Sequence, residues 1–194
     1  MTYADAGLLG NRARASGGIS SFAHTVVDGF QRMVNIGKTG YLVLEDDCTR
    51  SEATPRERRL EEIQRVISSF SMHLPKGFAV GLNGQFANMM ADDAWEDEDA
   101  LPSLRSLDAF LLTLFSTQAT QRPGIGTNGR GSITAFWRDG ENRLTIDCLP
   151  SGNTRWVLTR VNAKGDPERA AAECQPHRLR ELLSAYRPEV WFGQ

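Results

Sequence analysis

Residues 123–162 constrain the fold most, because apolar and polar residues alternate there in three runs joined by short turns. In the first run, Ile133, Ala135 and Trp137 share one parity. Side chains of a strand point to opposite faces in turn, and short connections join only antiparallel neighbours. The sequence therefore predicts an antiparallel β-meander, with residues 123–128 as an additional edge strand.

The later runs of the meander follow the same alternation. Gly140 and Gly152 each lie in a group of polar turn residues that separates two runs. Trp137 and Trp156 fall in the middle of their runs, so we expect them to be core or cross-strand partners. The residues sharing a parity in these runs are Leu144, Ile146 and Cys148, then Trp156, Leu158 and Arg160.

Helices are predicted before the meander. Residues 54–57 fit a capping box with proline at the first helical position, in which Thr54 and Glu57 satisfy each other's backbone amides. Pro102 and Ser103 open another helix, which we expect to pack against the sheet. The apolar stripe after the capping box ends before Pro75 and consists of Leu60, Ile63, Val66, Ile67, Phe70 and Leu74.

The remaining segments have shorter patterns. Residues 21–35 fit one face of a helix, and residues 41–44 form a short apolar run typical of a strand. Residues 78–82 are interpreted as a strand and residues 84–91 as a short helix. Pro176 to Tyr186 is predicted to be a short helix with three leucines on one face: Leu179, Leu182 and Leu183.

The expected fold class is α+β, with the meander, at about residues 123–162, packed against several helices. The chain has 194 residues, which fits a loose N-terminal arm over 1–20 and a single domain over 21–194. The patterns also allow a subdivision into a mainly helical part, 21–100, and a helix-plus-meander part, 101–194.

The charge and cysteine content favour a cytoplasmic protein. A net charge of −2 gives no excess of Lys and Arg, from which nucleic-acid binding draws most of its affinity. Cys48, Cys148 and Cys174 are too few and too far apart for a disulfide framework or a thiolate zinc site. The first residues lack a signal-peptide pattern, and no apolar run is long enough for a membrane span. We expect no membrane association and no cofactor.

Two glycine-containing motifs imitate nucleotide sites. Gly124 to Gly129 reads G-x-G-x-x-G, but a dinucleotide site needs a strand before the motif and a helix after it. Here a proline precedes and a strand follows. Gly37-Lys38-Thr39 imitates the end of a phosphate-binding loop, but Arg32 stands where its first glycine is needed. Both motifs are interpreted as loop geometry.

The strongest candidate site is an acidic segment, residues 92–99, with six carboxylates around one tryptophan. It is interpreted as a solvated loop, as a protein-binding patch or as a hard-cation site without calcium-loop spacing. In the protein-binding interpretation Trp95 is an aromatic anchor and the carboxylates meet a basic partner. The candidate partner-binding residues are Asp92, Asp93, Trp95, Glu96, Asp97, Glu98 and Asp99.

Other aromatic and basic residues give secondary candidates. Trp191-Phe192 would be costly to expose, so this pair is expected to dock on the domain or to form an interface. The alternative of a nucleic-acid surface depends on aromatic stacking beside arginines of the sheet. These arginines are Arg138, Arg143, Arg155 and Arg160.

Residues 94–162 resemble uncharacterised bacterial proteins of unknown function. The resemblance rests on Ala94-Trp95-Glu96, Ala100-Leu101-Pro102-Ser103, Ser106-Leu107, Pro123, Gly131-Ser132-Ile133, Trp137 and Leu144-Thr145-Ile146. It implies the order of a helix followed by a meander, and a bacterial or phage setting. It brings no activity and no functional residue.

The leading functional hypothesis is a non-enzymatic interaction protein, similar to an inhibitor or an antitoxin, whose partner is another protein. It rests on the acidic segment and on the lack of a catalytic motif: His24, His73 and His177 have no metal-ligand spacing, and no G-x-S-x-G motif occurs. One alternative is an enzyme or small-ligand protein with a site between meander and helices. The other is a nucleic-acid-binding module. The sequence leaves the oligomeric state open.

Overall fold

The structure is a computed structural model that describes residues 53–91, 95–96, 98–162 and 165–193. The segments for which the sequence predicts an N-terminal arm, a helix at 21–35 and a strand at 41–44 lie outside the described residues.

The sheet confirms the predicted α+β class and the meander. Five antiparallel strands lie side by side in chain order. The hairpin between the second and third strands turns at Gly140, whose φ of 59° is a conformation that glycine adopts without steric cost. The strands are β1 (Gly124–Thr127), β2 (Ile133–Asp139), β3 (Asn142–Cys148), β4 (Thr154–Val161) and β5 (Pro167–Cys174).

The fifth strand extends the meander beyond its predicted end at residue 162. β5 pairs along β4 from Val161↔Pro167 to Thr154↔Cys174. Three alanines and several charged residues give β5 little intrinsic strand preference, so its pattern does not stand out in the sequence. Backbone pairing with β4 and the packing of Ala170, Ala172 and Cys174 against the core hold it in place.

The capping box is present at the start of α1 (Pro55–Ser69). The Glu57 N–H donates to Thr54 Oγ1 at 3.2 Å, and the Thr54 N–H donates to Glu57 Oε2 at 2.7 Å. The helix ends earlier than its apolar stripe, because residues Ser71–His73 form a 3₁₀ turn. The buried part of the stripe still packs into the core.

The strand predicted at residues 78–82 is wrong. This segment is the first half of α2 (Phe78–Ala91), which also contains the predicted short helix. A five-residue apolar run does not distinguish a strand from a helix. The buried residues recur every four positions, which is a helical period: Phe78, Leu82, Phe86 and Met90.

The predicted helix after Pro102 is confirmed as α3 (Leu104–Thr117). Ser103 caps it, since its Oγ accepts from the Ser106 N–H at 3.0 Å. α3 contacts β2 and β3, and its Phe110 meets Phe86 of α2 edge-on with ring centroids 6.3 Å apart. No helix in the described ranges combines the length and apolar character needed to cross a bilayer.

The C-terminal segment docks on the sheet, which is one of the two roles predicted for Trp191-Phe192. Trp191 and Phe192 are 3% and 1% exposed. Phe192 packs edge-on against Trp137 at 5.2 Å, and its carbonyl accepts the N–H groups of Thr120 and Gln121 at 2.7 and 3.1 Å. The pair lies at the end of α5 (Pro188–Phe192).

The single helix predicted between Pro176 and Tyr186 is replaced by three short pieces. They are the 3₁₀ turn Pro176–Arg178, the one-turn helix α4 (Leu179–Leu182) and the 3₁₀ turn Ser184–Tyr186. Leu179 and Leu183 are buried, whereas Leu182 is exposed. With two buried leucines, the segment lacks the continuous apolar face that stabilises a longer helix.

Thr54→Ala is expected to lower the free energy of unfolding by about 1 kcal/mol, because it removes the cap of α1.

Hydrogen bonds from Thr54 lower the pKa of Glu57. The stabilisation from this carboxylate is therefore present above its unfolded pKa and lost as pH falls through its folded pKa. Denaturant titrations at neutral and acidic pH should show a smaller loss of stability with acid in Glu57→Gln than in the parent. Equal acid sensitivity of the two would contradict the role of the capping box.

Phe192→Ala is expected to destabilise the protein by about 3 kcal/mol, because it opens a cavity beside Trp137. Met72→Ala is the control: Met72 is 82% exposed, so the change should stay within about 0.5 kcal/mol. Chemical denaturation followed by tryptophan fluorescence measures both. A Phe192→Ala effect as small as that of the control would mean that the C-terminal segment does not contribute to the core.

Candidate protein-binding grooves at the acidic segment

The described part of the acidic segment is Trp95, Glu96, Glu98 and Asp99. Glu96 and Glu98 are exposed, while Trp95 and Asp99 are half-buried. The other candidate partner-binding residues, Asp92, Asp93 and Asp97, lie outside the described residues. In the chain, the segment lies between α2 and α3.

Trp95 is fixed in the fold rather than standing free as an anchor. Its indole N–H donates to the carbonyl of Met89 in α2 at 2.7 Å. The guanidinium of Arg56 lies 5.8 Å from its ring centroid, within the range of a cation–π contact. The indole also packs against the hydrophobic core. The ring is therefore a rigid wall between the start of α1 and the end of α2.

Asp99 and Ala100 connect the acidic segment to the loop after β1. The Asp99 carboxylate accepts the Glu96 N–H at 3.0 Å and lies against the backbone of Gly129. The Ala100 N–H donates to the Gly129 carbonyl at 2.8 Å, and the Gly131 N–H donates to the Ala100 carbonyl at 3.2 Å. The structure thus joins the acidic segment to the glycine-rich motif, two features that lie far apart in the sequence.

Two open grooves meet at Trp95 and Asp99, which line both. The first, the α1 groove, has a volume of about 650 Å³ and lies between the start of α1 and the end of α2. The second, the β1 groove, has a volume of about 620 Å³ and runs along β1. The β1 groove is lined by Gln85, Asn88, Met89, Trp95, Asp99 and residues 125–129.

The glycine-rich motif is only partly the loop that the sequence predicted. Gly124 and Gly126 belong to β1, and Gly129 lies in the loop after it. The strand β2, rather than a helix, follows the motif, so the arrangement that holds a pyrophosphate is missing. Gly129 has a φ of 67°, and a Cβ there would collide with the Asp99 carboxylate. The positive φ favours glycine at this position, and a larger residue would also have to displace the Asp99 side chain.

The alternative small-ligand site was expected between the meander and the helices. The part of that region under α3 is filled by the core, whereas the β1 groove lies between α2 and β1. The buried residues under α3 include Phe110, Ile133, Leu144 and Ile146. Burial also raises the pKa of the Cys148 thiol well above its ordinary range, so this thiol stays protonated and is a poor nucleophile. Among the described residues, no group of His, Cys, Asp and Glu is arranged to hold a metal ion.

Three of the four arginines of the alternative nucleic-acid surface, Arg138, Arg143 and Arg155, lie on the outer face of the sheet, and Arg160 does not. Arg155 on the outer face pairs with Asp147 at 3.2 Å. Arg160 lies on the inner parity and pairs with Glu168 at 2.7 Å. Trp137 and Trp156 are buried, as predicted, so neither ring offers a surface on which a base can stack.

The sequence did not indicate the helix and strand walls of the β1 groove. Gln85, Asn88 and Met89 look like ordinary polar or core positions of a short helix. Ile125 and Thr127 were visible only as members of an edge strand. Their convergence depends on how α2 packs against β1, and no local pattern in the sequence encodes that contact.

Gly129→Ala is expected to destabilise the protein more than Gly140→Ala does. Both positions have positive φ, so alanine costs about 1 kcal/mol at each. Only at Gly129 does the new methyl group also collide with Asp99, since the surroundings of Gly140 are open. Denaturant titration of the two variants measures the difference. Equal losses would mean that Asp99 does not lie against the loop.

No protein-family model, curated protein or solved structure matches this chain. The resemblance to bacterial proteins therefore stays a prediction from the sequence.

Proposed function

We propose that this protein binds another protein, and that the acidic segment and its two grooves receive a basic segment of that partner. The observation that carries the proposal is the position of Trp95 and Asp99, which line both grooves. Among the described residues, the Asp99 carboxylate lies where the two concave surfaces meet, and Glu96 lines the α1 groove beside it. Such a surface offers apolar contact and charge recognition at the same place.

The charge of the two grooves supports a basic partner, most clearly in the β1 groove. The α1 groove combines Arg56 with Glu57 and Glu96, so opposite charges partly cancel. In the β1 groove, Asp99 is the only charged side chain among the described lining residues. This groove favours Lys or Arg, and it disfavours the phosphates of a nucleic acid.

The exposed position of Glu96 and Glu98 determines how they act. Exposed charges at the edge of an interface are screened by salt, and they accelerate association and select partners more than they add affinity. The rigid walls formed by Trp95 and α2 supply the contact surface. The carboxylates would therefore recognise the charge of the partner, and the grooves would recognise its shape.

Selection of random short peptides on the immobilised full-length protein is expected to enrich sequences containing Lys and Arg. The double variant Glu96→Lys, Glu98→Lys should weaken binding of a selected peptide by about tenfold or more, because repulsion replaces attraction. Fluorescence anisotropy of the labelled peptide at low and at physiological salt measures this loss. Binding to the parent protein should weaken as salt rises.

The matched control is the double variant Glu141→Lys, Glu181→Lys. It makes the same change in net charge at exposed positions that line neither groove. Its affinity should stay within about twofold of the parent. The proposal is contradicted if both double variants lose affinity equally, or if the selected peptides lack basic residues.

A further inference from the structure

The phase of hydrogen bonding in the sheet is fixed by the β2–β3 hairpin. Asp139 and Asn142 flank a two-residue turn, so each donates its N–H to the carbonyl of the other. Along two antiparallel strands, hydrogen-bonded pairs of this kind alternate with pairs that are not hydrogen-bonded to each other. The same alternation continues beyond β3, where the Leu149 N–H donates to Asn153 O at 2.8 Å. In β2, odd-numbered residues therefore bond to β3, and even-numbered residues bond to β1.

The register carries this alternation to the open edge of the sheet. Phe136 pairs with Gly124 and Thr134 pairs with Gly126, so these glycines bond to β2. The N–H and C=O groups of Ile125 and Thr127 consequently point away from the sheet. Outside the sheet, neither residue's main chain has a backbone hydrogen bond to another described residue. β1 thus presents four backbone groups to the β1 groove.

The chain itself marks both ends of this open edge. At one end, Gln85 Nε2 donates to the carbonyl of Pro123 at 3.2 Å. At the other end, the Ala100 N–H donates to the carbonyl of Gly129, so Ala100 already pairs with the extension of this edge. The edge between them spans ~20 Å of extended backbone. That length accommodates a short extended peptide.

The walls of the β1 groove suit the side chains of an added strand. Such a strand would point alternate side chains towards α2, where Met89 and the partly buried Ile125 provide apolar contact. Asp99 lies at the Ala100 end and would receive a Lys or Arg. Apolar residues on one parity and a basic residue near one end are therefore the expected features of the segment.

The opposite edge of the sheet lacks these properties. β5 carries Pro167, Arg169 and Glu173, residue types that protect an edge against pairing with another chain. β1 carries neither proline nor charge. In the described part of the chain, its protection is its short length, and the groove beside it gives access to its backbone. The two edges therefore differ in their capacity to accept a strand.

We infer that the β1 groove binds an extended segment of a protein partner as an added strand, hydrogen-bonded to the backbone of Ile125 and Thr127, with a Lys or Arg at Asp99. The inference rests on the proposed function and specifies its geometry. Main-chain hydrogen bonds would supply affinity, and the groove walls would supply selectivity.

Thr127→Pro tests this geometry on the full-length protein with a selected basic peptide. The substitution removes an outward N–H without removing a bond to β2, since proline is tolerated where the N–H faces away from the sheet. Thr127→Val is the matched control: it keeps the N–H and loses the hydroxyl that donates to the Ser132 carbonyl. Thr127→Pro should weaken peptide binding by about tenfold, and Thr127→Val by less than twofold.

Backbone N-methylation of the same peptide keeps the inference testable if Thr127→Pro fails to fold. Alternate residues of an added strand bond to the edge, so methylation on one parity should abolish binding and on the other should leave it within about threefold. Equal effects on both parities would overturn the inference. If charge reversal at Glu96 and Glu98 still weakened binding in that case, the proposed function would stand. If neither backbone methylation nor charge reversal changed binding, both the inference and the proposed function would be contradicted.

Amide hydrogen exchange of the free full-length protein identifies the occupant. Ile125 and Thr127 amides should exchange fast, Gly124 and Gly126 amides slowly, and the first pair should become protected when the peptide binds. Protection of Ile125 and Thr127 in the free protein would overturn the inference. If this protection did not depend on protein concentration, the edge would be occupied by residues 1–52 of the same chain. If the protection increased with protein concentration, the edge would be occupied by a second copy of the protein.

Discussion

The described fold depends on the burial of one face of the β-meander. Ile133, Leu144, Ile146 and Leu158 are fully buried on that face, beneath α3 and the C-terminal segment. Burial of each such side chain contributes about 1.5–3 kcal/mol relative to exposure. A slip of one residue in any pairing would turn a whole row of these side chains to the solvent. The apolar face therefore fixes the register of all the inner strands.

The register of the strands determines the geometry of the candidate site. Because the inner strands fix which backbone groups of β2 face β1, they also fix which groups of β1 face the groove. α2 forms the opposite wall because Phe86 and Met90 anchor it in the same core. Ala100, directly after the acidic segment, bonds through its backbone to the loop after β1. The Asp99 carboxylate is thus held beside the strand edge.

The sequence predicted elements whose signals are local. The capping box at Thr54, the helix after Ser103 and the alternation of β2, β3 and β4 each lie within one short segment. α2 was misjudged because Gly81 and Gly84 interrupt its helical pattern, and β5 was missed because a run of alanines has little strand preference. The acidic run was visible, but the grooves depend on contacts between distant segments. Sequence reasoning thus found the charge of the site and missed its shape.

The hydrogen bond between Thr120 and the Phe192 carbonyl bears on the order in which parts of the protein fold. The strands pair only with neighbours in the chain, and closing short loops costs little entropy. The contact between Thr120 and Phe192 joins residues 72 positions apart, so we expect it to form after the meander. Detachment of the C-terminal segment would leave the pairing of the sheet intact while Trp137 becomes accessible to water.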